Sequence, residues 1–113
     1  MLGFHSHQRF FIYTDDTDMR RGYDGLSGLV RNEIASDPSN GDVYVFFNKQ
    51  RNKIKLLVWD LDGFAIYSKR LEKGRFEKIN ATNKKHHIRY DHLIMLLSGM
   101  SLEKSRQRKR FNK

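Results

Sequence analysis

The stretch IKLLVWDLDGFAIYSK, residues 54–69, decides the fold because two strand-like runs flank a turn in it. Both runs are rich in aromatic and β-branched side chains, which favour strands, and the Asp62-Gly63 pair between them is a strong hairpin signal. A third apolar run, VYVFF at residues 43–47, lies upstream across the loop 48–53. Both faces of that run are apolar, which is typical of a central strand. We therefore predict a small antiparallel β-meander of three strands.

Upstream of the meander, the sequence predicts one strand and one long helix. Residues 9–13, RFFIY, have the composition of a strand and end at a turn. Thr17 then stands where a helix N-cap is expected. The apolar residues after it recur at helical spacing and predict an amphipathic helix over residues 18–35. They are Met19, Tyr23, Leu26, Val30 and Ile34.

Downstream of the meander, the sequence is more polar until a final apolar segment. A short strand is predicted around Phe76, and residues 80–87 are typical of an exposed connection. Residues 91–98, DHLIMLLS, predict a short helix that stops at Gly99.

The predicted fold class is α+β, with the small antiparallel β-meander packed against one long amphipathic helix and a short C-terminal helix after it. A chain of 113 residues fits one domain, which we place at residues 1–100. Residues 101–113 carry six basic groups and one acid, so we predict a basic tail that is disordered when free.

Charge is the strongest compositional signal about function. The net charge is +9, from 22 Lys plus Arg against 13 Asp plus Glu. Residues 1–42 hold four basic and seven acidic groups, whereas residues 43–113 hold eighteen basic and six acidic groups. This asymmetry favours a polyanion as the partner of the second part.

The absence of Cys excludes disulfides and Cys-based zinc sites. No apolar run reaches the ~20 residues of a membrane helix, so no membrane partner is expected and the expected location is the cytoplasm.

The basic residues cluster at two turns of the predicted meander and at the start of the predicted helix. Such cations can contact nucleic-acid phosphates, and Tyr67 lies near enough to stack on a base. A solvated basic edge strand, which prevents aggregation between sheets, explains the same residues without a ligand. The composition leaves both interpretations open. The candidate nucleic-acid contacts are Arg20, Arg21, Lys49, Arg51, Lys53, Lys55, Lys69, Arg70, Lys73 and Arg75.

Catalysis has weaker support in the sequence. Asp15, Asp16 and Asp18 invite comparison with the carboxylates of two-metal nucleases. Their position in a turn and at a helix start already explains them, since Asp is common at both places. No convergent set of nucleophile, base and metal ligands is present, so we predict no catalytic residue, no metal and no cofactor.

Several segments carry a resemblance to a known family, in order and with sensible spacing from about residue 9 to residue 77. They are TDMR at 17–20, YDGLSGLV at 23–30, GDVYVFFN at 41–48, RNKIKLLVWD at 51–60, GF at 63–64 and YSKRLEKGRF at 67–76. The chain resembles the accessory protein TnpB of the IS-66 family of insertion sequences, which is unrelated to the RNA-guided nuclease of the same name.

The resemblance implies a role in DNA transposition beside a separate, larger transposase that performs strand cleavage and joining. It implies no catalytic residue for this chain. We expect a non-catalytic accessory protein that contacts insertion-sequence DNA ends, the transposase or both through its basic surface. The alternative is a protein-only adaptor that helps to assemble the transposase without touching DNA. Neither the composition nor the resemblance indicates an oligomeric state.

Overall fold

The computed structural model describes residues 4 and 6–99. They fold into a five-stranded mixed sheet with one helix packed on each face. In chain order the elements are β1 (Phe10–Tyr13), α1 (Tyr23–Asn32), β2 (Val43–Phe47), β3 (Lys53–Asp60), β4 (Gly63–Arg70), β5 (Lys85–Ile88) and α2 (Tyr90–Leu97). The strands lie side by side in the order β4-β3-β2-β1-β5.

The three-stranded meander is confirmed, since β2 pairs antiparallel with β3 and β3 pairs antiparallel with β4. The second pairing runs residue by residue from Lys53 opposite Arg70 to Asp60 opposite Gly63, without a bulge. Two residues connect these strands, and Leu61, the first of them, has a positive φ of 58°. A tight two-residue hairpin requires such a backbone conformation.

The predicted packing of a meander on one long helix is wrong, because β1 and β5 extend the sheet on the other side of β2. β1 pairs in parallel with β2, with Phe10 opposite Val43, and antiparallel with β5, with Phe10 opposite Ile88. A parallel neighbour requires a crossover, and α1 lies in that crossover. The strand β5 overlaps the end of the predicted exposed connection 80–87. Its polar composition suits an edge strand, of which only Ile88 is fully buried.

The first helix is also shorter than the predicted range 18–35, since α1 covers only Tyr23–Asn32. Before it, the ammonium group of Lys55 donates hydrogen bonds to the carbonyl oxygens of Met19 and Arg21, at 2.8 and 2.9 Å. In a helix these carbonyls would accept from amides one turn later. The long-range contact from β3 therefore replaces the first predicted turn of the helix.

Backbone geometry rather than a side-chain cap marks both ends of α1. Gly22 occupies the N-cap position and makes no side-chain hydrogen bond. Thr17, the predicted cap, lies five residues earlier and donates its N–H to the carbonyl of Phe47 at 2.8 Å. Beyond the helix, Ala35 has a positive φ of 49°, which turns the chain away from the helical path. The apolar residues keep their helical spacing beyond both ends of α1, so the sequence pattern does not show where the helix begins and ends.

Each face of the sheet carries its own apolar cluster, because side chains alternate between the faces along every strand. On the α1 face, Leu26 and Val30 of the helix pack over side chains of the sheet. On the opposite face, Leu93 and Leu96 of α2 do the same. The α1-face cluster contains Phe11, Tyr13, Tyr44, Phe46 and Leu57 from the sheet. The α2-face cluster contains Phe10, Ile12, Val43, Val45, Phe47, Ile54, Leu56, Val58 and Ile88.

The C-terminal part of the described chain completes the α2 face. The predicted short helix is confirmed as Tyr90–Leu97, followed by Gly99 with a positive φ of 78°. No strand forms around Phe76, whose buried ring instead packs into the α2-face cluster from an irregular segment. None of the helices in residues 4 and 6–99 is long and apolar enough to cross a membrane. The predicted disordered tail, residues 101–113, lies outside the described residues.

Candidate nucleic-acid interface

The alternation of side chains along β3 and β4 divides the predicted cations between the two faces of the sheet. Leu57 belongs to the α1-face cluster, so Lys53 and Lys55 of the same strand lie on that face as well. Arg70 stands directly opposite Lys53 and shares its face. Lys69 stands opposite Ile54, which belongs to the α2-face cluster, and therefore points to the other side.

The α1-face cations line two adjoining pockets of about 430 and 440 Å³ at one end of the sheet. The pockets share Met19 and Lys53, and together we call them the basic groove. Six cationic and three acidic residues line it, so it keeps a positive excess. Its lining residues are Asp16, Thr17, Asp18, Met19, Arg20, Asn48, Lys49, Gln50, Lys53, Lys55, Ser68, Lys69, Arg70 and Glu72.

Two of the three acids in the basic groove form ion pairs with its cations. The guanidinium of Arg20 contacts Asp18 at 2.7 Å, and the resulting hydrogen bonds hold the pKa of the Asp18 carboxyl well below its ordinary value. Arg70 contacts Glu72 at 3.1 Å. All four side chains are well exposed, with the Arg20 side chain 91% accessible, so water and salt screen both pairs. These cations can therefore exchange their partners for a bound anion.

Three of the predicted cations bind carbonyl oxygens or an aromatic ring within the fold. Lys55 holds the chain before α1 through two carbonyls. Lys69 donates to the carbonyl of Leu97, at the C-terminal end of α2, at 2.7 Å. That end carries the negative pole of the helix dipole, which a cation stabilises.

Arg51 is the third of these cations, and it is partly buried. Its guanidinium lies 3.9 Å from the ring centroid of Phe47 and donates to the carbonyl of Glu77 at 2.7 Å. Its backbone carbonyl accepts from the amide of Phe76 at 2.7 Å, so the residue ties the irregular segment to the sheet. Burial lowers the pKa of Arg51, although a guanidinium stays charged at neutral pH.

The remaining predicted contacts lie outside the basic groove. Arg21, Lys73 and Arg75 are exposed but line neither pocket. Tyr67, the proposed base-stacking residue, stands opposite Leu56 and packs against the α2-face cluster. The structure therefore brings together Arg20, Lys49, Lys53, Lys55 and Arg70 in the basic groove. Lys69 also borders the groove, but its ammonium is bound to the Leu97 carbonyl, and the other candidates lie elsewhere.

The basic groove also contains uncharged residues that the sequence did not single out. Asn48 accepts hydrogen bonds at its side-chain oxygen from the backbone amides of Asn52 and Lys53, at 3.1 and 3.0 Å, and so shapes the β2–β3 loop. Ser68 stands opposite Lys55 and adds an exposed hydroxyl. An Asn that follows a strand is a detectable turn signal, whereas nothing in the sequence distinguishes Ser68.

The acids near the start of the chain do not assemble into a metal site. Asp15 lies 3.7 Å from the ammonium of Lys84, and Asp18 pairs with Arg20. Within residues 4 and 6–99, no three acidic or His side chains gather closely enough to hold a metal ion.

Comparison with known proteins places the chain in a class of accessory proteins of mobile DNA. The profile described as IS66 Orf2 like protein matches residues 8–107, so the chain belongs to the IS66 Orf2-like family and is a transposition-associated accessory protein. Two uncharacterized proteins of Sinorhizobium fredii are similar to it. The protein y4jC is 30% identical over 100 residues, 88% of this chain and 86% of the relative. The protein y4hO is 32% identical over 100 residues, 88% of this chain and 87% of the relative. No solved structure matches.

Proposed function

We propose that this protein assists transposition in the bacterial cytoplasm by contacting insertion-sequence DNA through the basic groove, beside a separate transposase. Its action is charge complementarity and shape, without bond chemistry. The observation that supports this proposal is the pairing of Lys53 directly opposite Arg70 on the same face of the sheet.

Two cations directly opposite each other on neighbouring strands repel, because their Cβ atoms are only about 5 Å apart. A phosphate bound between them converts that repulsion into two favourable contacts. Arg20 and Lys49 lie along the same groove and supply further cations for the backbone of a nucleic acid. Binding of this kind releases counterions and therefore weakens steeply as salt rises.

The test is a salt-titrated binding assay that compares element-end DNA with scrambled DNA, with and without the transposase. For the wild-type protein we expect the logarithm of affinity to fall linearly with the logarithm of salt concentration. The variant Lys53→Gln/Arg70→Gln should bind about tenfold more weakly at moderate salt, with a salt slope smaller by about two.

The matched control is Arg31→Gln/Lys78→Gln, which removes the same net charge from exposed residues that do not line the groove. Equal losses in the two double variants would mean that general charge, rather than the groove, drives binding. No DNA binding at moderate salt by the wild-type protein would contradict the proposal outright.

A protein-only adaptor is the second candidate, and exposed apolar side chains favour it. Tyr23 and Ile94 are about half exposed, and Leu61 is 94% exposed. Single exposed apolar side chains are common on protein surfaces, so the argument depends on Leu61, the most exposed of the three, as an anchor for another protein. This function predicts that the transposase co-purifies with the protein, that Lys53→Gln/Arg70→Gln does not weaken that association, and that DNA alone is not bound.

A further inference from the structure

Strand β4 is an edge strand whose protection against pairing is confined to two cations at its C-terminal end, Lys69 and Arg70. It is eight residues long, and none of the strands in residues 4 and 6–99 pairs with its outer side. Its first five residues, Gly63 to Tyr67, include no charge and no proline, and its pairing with β3 contains no bulge. Natural proteins normally use these devices to block an edge. The other edge strand, β5, has only four residues.

We infer that β4 is a self-association edge, at which two copies of this chain join antiparallel into one continuous sheet. Charge selects the partner and the direction. Asp62 immediately precedes the first residue of β4, and Lys69 and Arg70 lie at its C-terminal end. Antiparallel pairing places the acidic end of one copy beside the basic end of the other, whereas parallel pairing would place like charges together.

One register satisfies the two-fold symmetry and these charges together. A two-fold axis perpendicular to the sheet keeps each side chain on its own face, so β4 can meet its copy with Ile66 opposite Ile66. Arg70 then lies opposite Asp62 of the second copy. Within the strand, Ala65 comes opposite Tyr67 of the second copy, so uncharged residues fill the centre of the new pairing. The register therefore gives an apolar centre between two ion pairs.

The existing ion pair of Arg70 does not prevent this exchange. Arg70 contacts Glu72 at 3.1 Å, and the two side chains are 62% and 79% exposed. An ion pair this exposed contributes little. Because the axis is perpendicular to the sheet, both copies would present α1 and the basic groove on the same side. The proposal itself does not rest on DNA binding, since no nucleic acid takes part in the association.

The first experiment measures the mass of the full chain without DNA by sedimentation equilibrium over a range of concentrations. The monomer mass is 13.5 kDa, and we expect the average mass to approach twice that value as concentration rises. Amide hydrogen exchange on the same samples should show that protection of β4 increases with concentration. A constant monomer mass over that concentration range would overturn the proposal.

Charge exchange then tests the register. Asp62→Lys and Arg70→Glu should each weaken self-association about tenfold, because symmetry places every substitution in two ion pairs. The double variant Asp62→Lys/Arg70→Glu should restore the wild-type affinity, since the reversed charges meet across the axis. Matched controls are Asp91→Lys and Arg89→Glu, whose ion pair lies beside β5 at the far edge of the sheet. Failure of the double variant to recover, while each single variant remains folded, would overturn the antiparallel arrangement.

Discussion

The two faces of the sheet use similar cations for different purposes. On the α2 face, Arg51 and Lys69 are bound to carbonyl oxygens, and Arg51 also lies against a phenylalanine ring. On the α1 face, Lys53 and Arg70 oppose each other at the mouth of an open groove. The first pair stabilises the fold, whereas the two cations of the second pair repel each other, and the exposed ion pair of Arg70 with Glu72 offsets this only in part. A basic residue in a turn therefore indicates a ligand only when the fold does not already use its charge.

The largest expected effect is the loss of stability in Arg51→Ala. This variant loses the contact with Phe47 and the hydrogen bond to the Glu77 carbonyl, together worth about 3 kcal/mol. Arg51 has a positive φ of 60°, so Arg51→Gly should recover about 1 kcal/mol of that loss. Denaturant unfolding of both variants measures the difference. An alanine variant as stable as the wild type would remove the distinction between the two faces.

The next effect concerns Lys55, which lies on the α1 face but is bound to the fold. Lys55→Met removes charged hydrogen bonds to the carbonyls of Met19 and Arg21 and should reduce the free energy of unfolding by about 2 kcal/mol. Hydrogen exchange should then be faster at the start of α1. If Lys55→Met reduced DNA affinity without any loss of stability, the residue would belong with Lys53 and Arg70 instead.

A smaller effect of opposite sign is expected for Lys53→Gln. Removing one of two cations that face each other across β3 and β4 should raise the free energy of unfolding by about 0.5 kcal/mol in the absence of DNA. Added salt should shrink this gain because it screens the repulsion in the wild-type protein. Lys49→Gln is the control, since Lys49 lies in a loop without a cross-strand partner. A loss of stability in Lys53→Gln would show that the opposed pair is not strained.

The smallest effect is a titration shift at the rim of the basic groove. Arg20 holds the pKa of Asp18 below its ordinary value, so Asp18 stays charged as the pH falls through the usual aspartate range. The interaction favours the folded state above the ordinary pKa and is lost only as the pH falls through the lowered one. Carboxyl chemical shifts should show the pKa of Asp18 rising in Arg20→Gln. The control Arg21→Gln, which removes a weaker and more distant influence, should shift it much less.

Local patterns predicted the parts of the fold that depend on neighbours in sequence. The hairpin of β3 and β4 and the short helix α2 follow from a turn pair, apolar runs and a terminating glycine. The long-range pairings were not predictable in the same way. Nothing near His86 and His87 indicates a strand, because β5 gains its partner from β1 at the start of the chain. Similarly, the contact between Lys55 and the Met19 carbonyl that shortens the first helix joins distant positions.

The sequence predicted which residues could form the candidate site, but not where the fold would place them. Charge clustering identified the cations, but the face on which each one lies depends on strand register. Lys69 and Arg70 are neighbours in sequence and point to opposite sides of the sheet. Arg51 looks like a loop cation, yet its positive φ and its contact with Phe47 make it part of the interior. Resemblance to a family identified the biological setting, and it could not separate these residues by role.

The position of β1 constrains how the chain can be made. β1 lies between β2 and β5, so the strand nearest the N-terminus is enclosed last, when residues 85–88 become available. The hairpins of β2, β3 and β4 form between adjacent segments, which close quickly during synthesis. A nascent chain that has not emerged beyond β5 therefore leaves the apolar run of β1 with one open side. The edge of β1 that faces β5 therefore stays unpaired until residues 85–88 have been synthesised.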